Sequence, residues 1–268
     1  MIETRTAIAA LIALLALTAA AQAADCPRKD ALGTSRELTV DAATFPRVGL
    51  HSFPQTLPLA DKEVVLTFDD GPSPPATTRV LEALAHECVH ATFFLIGQSS
   101  AANPELVKRI AADGHSIGHH TWSHANLMRI APETAVEEID RGIAADELAL
   151  HGVASSVPTT PFFRCPYFES TPAVLDLLQA RGIVVFGADL WASDWNPMTP
   201  RQELKLMTER LQAAGKGIIL FHDSKAQTAA MLPDFLRYLR DNQYRVVQVV
   251  GPSHHRENDP DGVPSAGQ

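Results

Sequence analysis

From Glu63 onward, apolar runs of strand length alternate with stretches whose apolar positions recur at helical spacing. Glu63–Phe68, Ala91–Ile96, Ile183–Gly187, Ile218–Phe221 and Arg245–Val249 read as strands, and Ser116–Gly118 and Pro161–Arg164 are shorter candidates. Between them Thr77–His86, Pro104–Ala112, Pro132–His151, Pro172–Ala180, Arg201–Ala214 and Gln227–Asn242 read as helices. Several carry proline at or near the first turn, and Ala180-Arg181-Gly182 closes one with a C-cap glycine. Strands alternating with helices imply parallel βαβ units, and this number of strands suits an α/β barrel or barrel-like sheet in a single domain.

The flanks read differently. Met1 to Ala23 has Arg5 near its start, an apolar or small run from Ala7 to Ala21, and Ala21-Gln22-Ala23 as a cleavage site. This is the pattern of a signal peptide, removed after residue 23. The run is shorter than the roughly 20 residues a membrane span needs, although an uncleaved anchor is the alternative. The expected product is exported, periplasmic or secreted, with no membrane span after signal cleavage. Residues 24–61 form a lead-in with a strand-like stretch at Glu37–Val40, 62–250 form the regular domain, and the polar tail 251–268 is expected to be flexible.

The chain has 268 residues, 46% hydrophobic and 20% charged, which is ordinary for a globular protein. A formal net charge of −9 argues against non-specific binding to nucleic acid or an anionic membrane surface. Three cysteines allow at most one internal bridge. Cys26–Cys88 is the expected pair in an oxidising compartment, since Cys165 lies within a motif; three unpaired thiols are the open alternative.

In parallel α/β folds, functional groups gather at the carboxyl ends of strands. The first strand runs into Thr67-Phe68-Asp69-Asp70-Gly71-Pro72, two adjacent carboxylates that strand geometry points to opposite faces. The third runs into His119-His120-Thr121-Trp122-Ser123-His124, where His120 and His124 have the i, i+4 spacing that serves one cation on a helical turn. Asp70 would complete a three-ligand site, with His119 a neighbour. Arg164 follows the fourth strand and could hold a carboxylate. Asp194-Trp195 follows the fifth, and His222 leaves the sixth as a candidate acid or base.

Each of these has an ordinary structural explanation alone, but their order is not ordinary. TFDDGP, HTWSH, RCPY, the SDW segment and LFH resemble, in sequence, the five motifs of the NodB-homology polysaccharide deacetylases, carbohydrate esterase family 4, over roughly residues 60–250. The resemblance implies a distorted (β/α)7-type barrel. It implies Asp70, His120 and His124 as ligands of a divalent metal, zinc by default, with cobalt or nickel as alternatives. It makes Asp69 the general base, positioned by Arg164, and His222 the general acid, paired with Asp194. It gives the Tyr167 backbone N–H to the oxyanion, and Trp195 and Leu220 to the pocket for the acetyl methyl. The implied substrate is an acetylated glycan, N-acetylated or O-acetylated: chitooligosaccharide, peptidoglycan or xylan. Two positions depart from the family pattern: Cys165 replaces a proline or small residue, and Phe168 follows Tyr167 where glycine is common.

Two rival readings stand beside this. His86-Glu87-Cys88-Val89-His90 matches the metalloprotease pattern H-E-x-x-H, which needs one continuous helix, whereas His90 opens a strand-like run. A catalytically dead glycan-binding module would be expected to lack a motif residue, and none is missing.

Overall fold

The computed structural model describes Cys26 and residues 28–252. The expected signal peptide and the chain after 252 lie outside these residues. In chain order the elements are β1 (Thr34–Thr39), β2 (Arg47–Val48), β3 (Glu63–Asp69), α1 (Ala76–His86), β4 (Thr92–Leu95), α2 (Gly97–Ala102), α3 (Pro104–Ala112) and β5 (Ser116–His119). There follow α4 (Pro132–His151), β6 (Phe162–Phe163), a 3-10 turn at Pro166–Phe168, α5 (Pro172–Ala180), β7 (Val184–Phe186), β8 (Leu190–Trp191), α6 (Pro200–Ala214), β9 (Gly217–His222), α7 (Ala226–Asp241) and β10 (Arg245–Val250).

The strands form one parallel sheet in the order β1-β10-β3-β4-β5-β6-β7-β2, with β9 joining β3 to β8. One edge of β3 pairs with β9 from Val64 to Asp69; the other meets β10 at Glu63 and Val64 and β4 from Thr67 to Asp69. Side chains alternate between two layers, as a strand period of two requires. Val64, Leu66 and Phe68 pack outward with Val80, Leu84, Phe235 and Leu236 of the helices. Val65 turns into a second cluster with Phe94, Phe162, Phe186, Ile218 and Val247. The helices α4 and α5 cover β6 and β7 through Ile139, Ile143 and Leu178 against Phe163 and Val185.

The expected lead-in is built into this barrel. β1 pairs with β10 and β2 with β7, and Val40, Val48, Leu57 and Leu59 belong to the inner cluster. A disulfide ties Cys26 to Cys88, and Cys165 is a buried free thiol. The ladder does not close between β2 and β8. There the Asp189 carboxylate accepts hydrogen bonds from Leu50 N at 2.8 Å, Thr56 Oγ1 at 2.7 Å and Ile218 N at 2.8 Å, so a side chain bridges the seam. The molecule is therefore the distorted α/β barrel expected, with additional short elements: α2, β2 and β8 have no counterpart in the hydrophobic pattern.

Candidate active site

Strand register brings the first two groups together. Asp69 ends β3 and His222 ends β9, and the two are direct partners in the ladder. The alternation that points Val65 inward points Thr67 and Asp69 the same way. Arg164, fully buried just beyond β6, donates from Nη1 to Asp69 Oδ1 at 2.7 Å and to Thr67 Oγ1 at 2.9 Å. Its remaining nitrogens reach Gly187 O at 2.8 Å and Phe186 O at 3.3 Å, and its guanidinium lies 4.3 Å from the Phe94 ring centre. This number of partners is what a buried guanidinium requires. Burial raises Asp69 above the ordinary carboxylate range, with Arg164 and His222 pulling against it.

Asp70 does not follow the strand alternation. Its backbone is left-handed, φ 74°, which swings its carboxylate into the pocket that Asp69 faces. The next residue must be small: a Cβ on Gly71 would lie 2.1 Å from Asp223 Oδ2. Asp223 is held by the Thr77 hydroxyl at 2.6 Å, and burial pushes it up to about 7.

His120 and His124 lie in the loop after β5, not on a helical turn as their spacing suggests. The loop turns through left-handed Thr121 (φ 66°) and His124 (φ 61°). α2 and α4 hold it: Gly97 N and Gln98 N donate to Thr121 O and Trp122 O, and Trp122 N donates to Glu138 O. The Nδ1 of His120 is 2.7 Å from the Arg164 carbonyl, which makes it the protonated nitrogen and leaves Nε2 a lone pair. Burial drives His120 down to about 3, so the ring is neutral. Its Nε2 is 3.6 Å from Asp70 Oδ1, and His124 Nε2 is 3.3 Å from the same oxygen. His119 turns away, with Nδ1 on Asp146 Oδ2 at 2.7 Å.

One donor atom from each of Asp70, His120 and His124 lies within 4.8 Å of the other two. Asp70 Oδ1 is buried without a hydrogen-bond partner. An orphaned carboxylate oxygen beside two imidazole nitrogens fits a divalent cation. The edge of a tetrahedron with bonds of about 2.0–2.1 Å is about 3.4 Å, close to the observed separations.

His222 donates its backbone N–H to Asp194 Oδ2 at 2.7 Å and places Nδ1 2.7 Å from Oδ1. Burial lowers the imidazole's affinity for a proton, but the Asp194 hydrogen bond and charge, with Asp69 and Asp70, outweigh it and raise His222 to about 9. Its Nε2 points at the pocket, 4.0 Å from Asp70 Oδ2. The cavity, about 520 Å³, is lined by Asp69, Asp70, His120, His124 and His222, and walled by Tyr167, Trp195 and Leu220. The Tyr167 ring lies 4.7 Å from His124, and Trp195 stands edge-on to His222 at 6.0 Å. Every expected site residue thus lies in or directly behind one pocket.

The family model described as polysaccharide deacetylase matches residues 57–186. The chitooligosaccharide deacetylase of Bradyrhizobium sp. (strain ANU 289) is 34% identical over 164 residues, covering 60% of this chain and 71% of that protein. The chain belongs to the polysaccharide deacetylase family. The peptidoglycan-N-acetylglucosamine deacetylase PgdA of Listeria monocytogenes is 31% identical over 191 residues, 70% of this chain but 38% of PgdA, so the chain matches well under half of that relative's length. The structure of the peptidoglycan deacetylase Bd3279 of Bdellovibrio bacteriovorus superposes with a TM-score of 0.73 at 30% identity, over 85% of this chain and 62% of that one.

The two departures from the family pattern have visible consequences. Cys165 lines the pocket as a buried thiol pushed up to about 12, far from a reactive thiolate. Phe168 adopts φ 58°, a conformation natural to glycine, and its ring packs 5.2 Å from His51. His51, from the lead-in and outside the matched segment, also lines the pocket, 4.5 Å from the Trp191 ring. Sequence reasoning missed it because nothing periodic marks that loop. The H-E-x-x-H segment forms no site. α1 stops at His86, Cys88 is in the disulfide, Glu87 accepts bonds from Arg28, Arg240 and Leu32 N, and His90 faces Gln248.

Proposed function

We propose that this chain removes acetyl groups from acetylated glycans, hydrolysing the acetamide of amino sugars, with a divalent metal held by Asp70, His120 and His124. The observation that carries this is the placing of Asp69 and His222 against that donor cluster, Asp69 Oδ2 3.9 Å from His120 Nε2 and His222 Nε2 4.0 Å from Asp70 Oδ2. Zinc suits the Asp-His-His donors best. When bound, the ion supplies Lewis acidity, polarising an acyl oxygen and making water acidic enough for a carboxylate to deprotonate near neutral pH.

The remaining steps belong to this chain's own residues. Arg164 occupies Asp69 Oδ1, leaving Oδ2 to accept the proton of the attacking water. The Tyr167 backbone N–H donates to the oxygen that gains charge at the acyl carbon. Trp195 and Leu220 wall the acetyl methyl. An amine leaves poorly as an anion, so His222 delivers a proton from Nε2 to the nitrogen, while Asp194 keeps the ring charged and aimed. The relatives named for peptidoglycan and chitooligosaccharide support an extracytoplasmic glycan, and the expected signal peptide supports export.

The test is acetate release from N-acetylated chitooligosaccharide and peptidoglycan, with and without chelator, for wild type and Asp69→Asn. Release should vanish with chelator and return with zinc, with cobalt and nickel compared in parallel. Asp69→Asn should bind metal and show no turnover. Glycan binding without chelator-sensitive release would instead make the chain a binding module.

A further inference from the structure

Behind His222 and Asp194 lies a third acidic group that the reaction as described does not use. Glu203 sits in the first turn of α6 and is fully buried. Its Oε1 is 3.0 Å from the Thr228 hydroxyl of α7, and that hydroxyl is 2.8 Å from Asp194 Oδ2. Its Oε2 is buried with no hydrogen-bond partner. The charged groups facing it are Asp194 and His222; α7 presents the neutral Thr228.

A threonine hydroxyl has one proton to give and two acidic neighbours here. Asp194 Oδ2 already acts as an acceptor, since the His222 backbone N–H donates to it at 2.7 Å. If Thr228 donates to Asp194, its contact with Glu203 is a hydrogen bond only when Glu203 supplies the proton. If Thr228 instead donates to an ionised Glu203, Asp194 faces a bare lone pair, and a buried carboxylate keeps one oxygen unsatisfied. The N-terminus of α6 favours the charged form only weakly, whereas leaving a buried carboxylate unpaired disfavours it strongly. The neutral form wins. Burial, with Asp194 adding to it, pushes Glu203 up to about 7.

We propose that Glu203 is a positioning residue that works as a neutral carboxylic acid, donating to Thr228 so that Thr228 donates to Asp194, and that this ordered chain fixes Asp194 against His222. The positioning role rests on His222 being the acid proposed above; the protonation state does not.

Glu203→Gln keeps the shape, the neutrality and an N–H donor, so its kcat should stay near wild type. Glu203→Ala and Thr228→Val should lower kcat roughly 10- to 100-fold with KM and bound zinc little changed. The ratio of Glu203→Gln to wild-type kcat should rise between about pH 6 and about pH 8 as wild-type Glu203 ionises, a comparison in which the His222 limb cancels. Infrared difference spectra at about pH 6, where an ordinary glutamate is ionised, should show a buried protonated-carboxyl C=O band that Glu203→Gln removes. That band reads the proton on Glu203 even in a preparation without deacetylase activity. A Glu203→Gln variant as impaired as Glu203→Ala, or the absence of the band, overturns the neutral acid. Wild-type kcat in both Glu203→Ala and Thr228→Val overturns the positioning role. Should Glu203→Ala fail to fold, Glu203→Gln, Thr228→Val and the infrared band still decide.

Discussion

Asp69 and Asp70 are neighbours in sequence, and a single backbone angle determines how they share a pocket. Regular strand geometry would send the second carboxylate to the helix layer; φ 74° at Asp70 returns it to the inner face beside His120 and His124. That Asp69, Asp70, His120, His124, Arg164 and His222 were candidates was legible because each follows an apolar strand and ionisable side chains there seldom serve packing. The manner of their meeting was not legible: a positive φ at a non-glycine residue leaves no mark on the hydrophobic pattern. At this scale the decisive test separates acid from ligand. His222 meets Asp194 through both its backbone N–H and its ring, and among the described residues it is not in the donor cluster. His222→Ala should therefore retain metal while kcat falls roughly 10²- to 10⁴-fold. His124→Ala should lose metal and activity together. Metal content and kcat measured on the same preparations check both, and near wild-type turnover in His222→Ala would remove it as the acid.

The loop carrying both histidines owes its shape to the helices behind it. Gly142 of α4 has no side chain because the loop backbone is there: a Cβ would lie 2.5 Å from the Thr121 carbonyl carbon and 2.9 Å from Trp122 N. These are backbone atoms that cannot swing aside. Gly142→Ala should thus do two things at once, lowering stability by about 1–3 kcal/mol through overpacking and weakening metal affinity by moving His120 and His124 relative to Asp70. Urea unfolding and zinc titration of the variant check this; an unchanged zinc affinity would show that the loop keeps its shape without α4. The same elements mark the limit of the sequence reading. Strands such as β3 and β9 are buried along their length and read as continuous apolar runs. The two-residue strands β2 and β8 are too short to show a period, and α2, Gly-Gln-Ser-Ser-Ala-Ala, has no apolar face. α2 is specified by its place against the loop and α4, with Ser100 bonding Asp146 at 2.6 Å, and not by a pattern of its own.

At the scale of the whole molecule, the stretch from residue 28 to residue 61 is structural, and Glu63 is where it is fastened. Glu63 begins β3 yet is buried, and it accepts two hydrogen bonds from Arg36 of β1, at 2.7 and 3.0 Å, and one from Ala60 N at 2.9 Å. Arg245 of β10 stands 3.9 Å away. One carboxylate thereby joins three strands of the sheet's β1 end. The Arg36 hydrogen bonds, against the opposing effect of burial, lower Glu63 to about 2 from an ordinary 4.5. A carboxyl depressed on folding adds stability that is complete above its unfolded pKa and is lost as pH falls through its folded value. The window is therefore from about pH 4.5 down to about pH 2. Since Arg36 is partly exposed, solvent screening trims the contribution to the order of 1–2 kcal/mol. Wild type should be more stable than Glu63→Gln at neutral pH by about that amount, and the gap should narrow across this window, read from urea unfolding midpoints at each pH. A gap that stays constant through the window would mean that the Gln variant loses packing, and that the charge on Glu63 does not hold the first strand to the barrel.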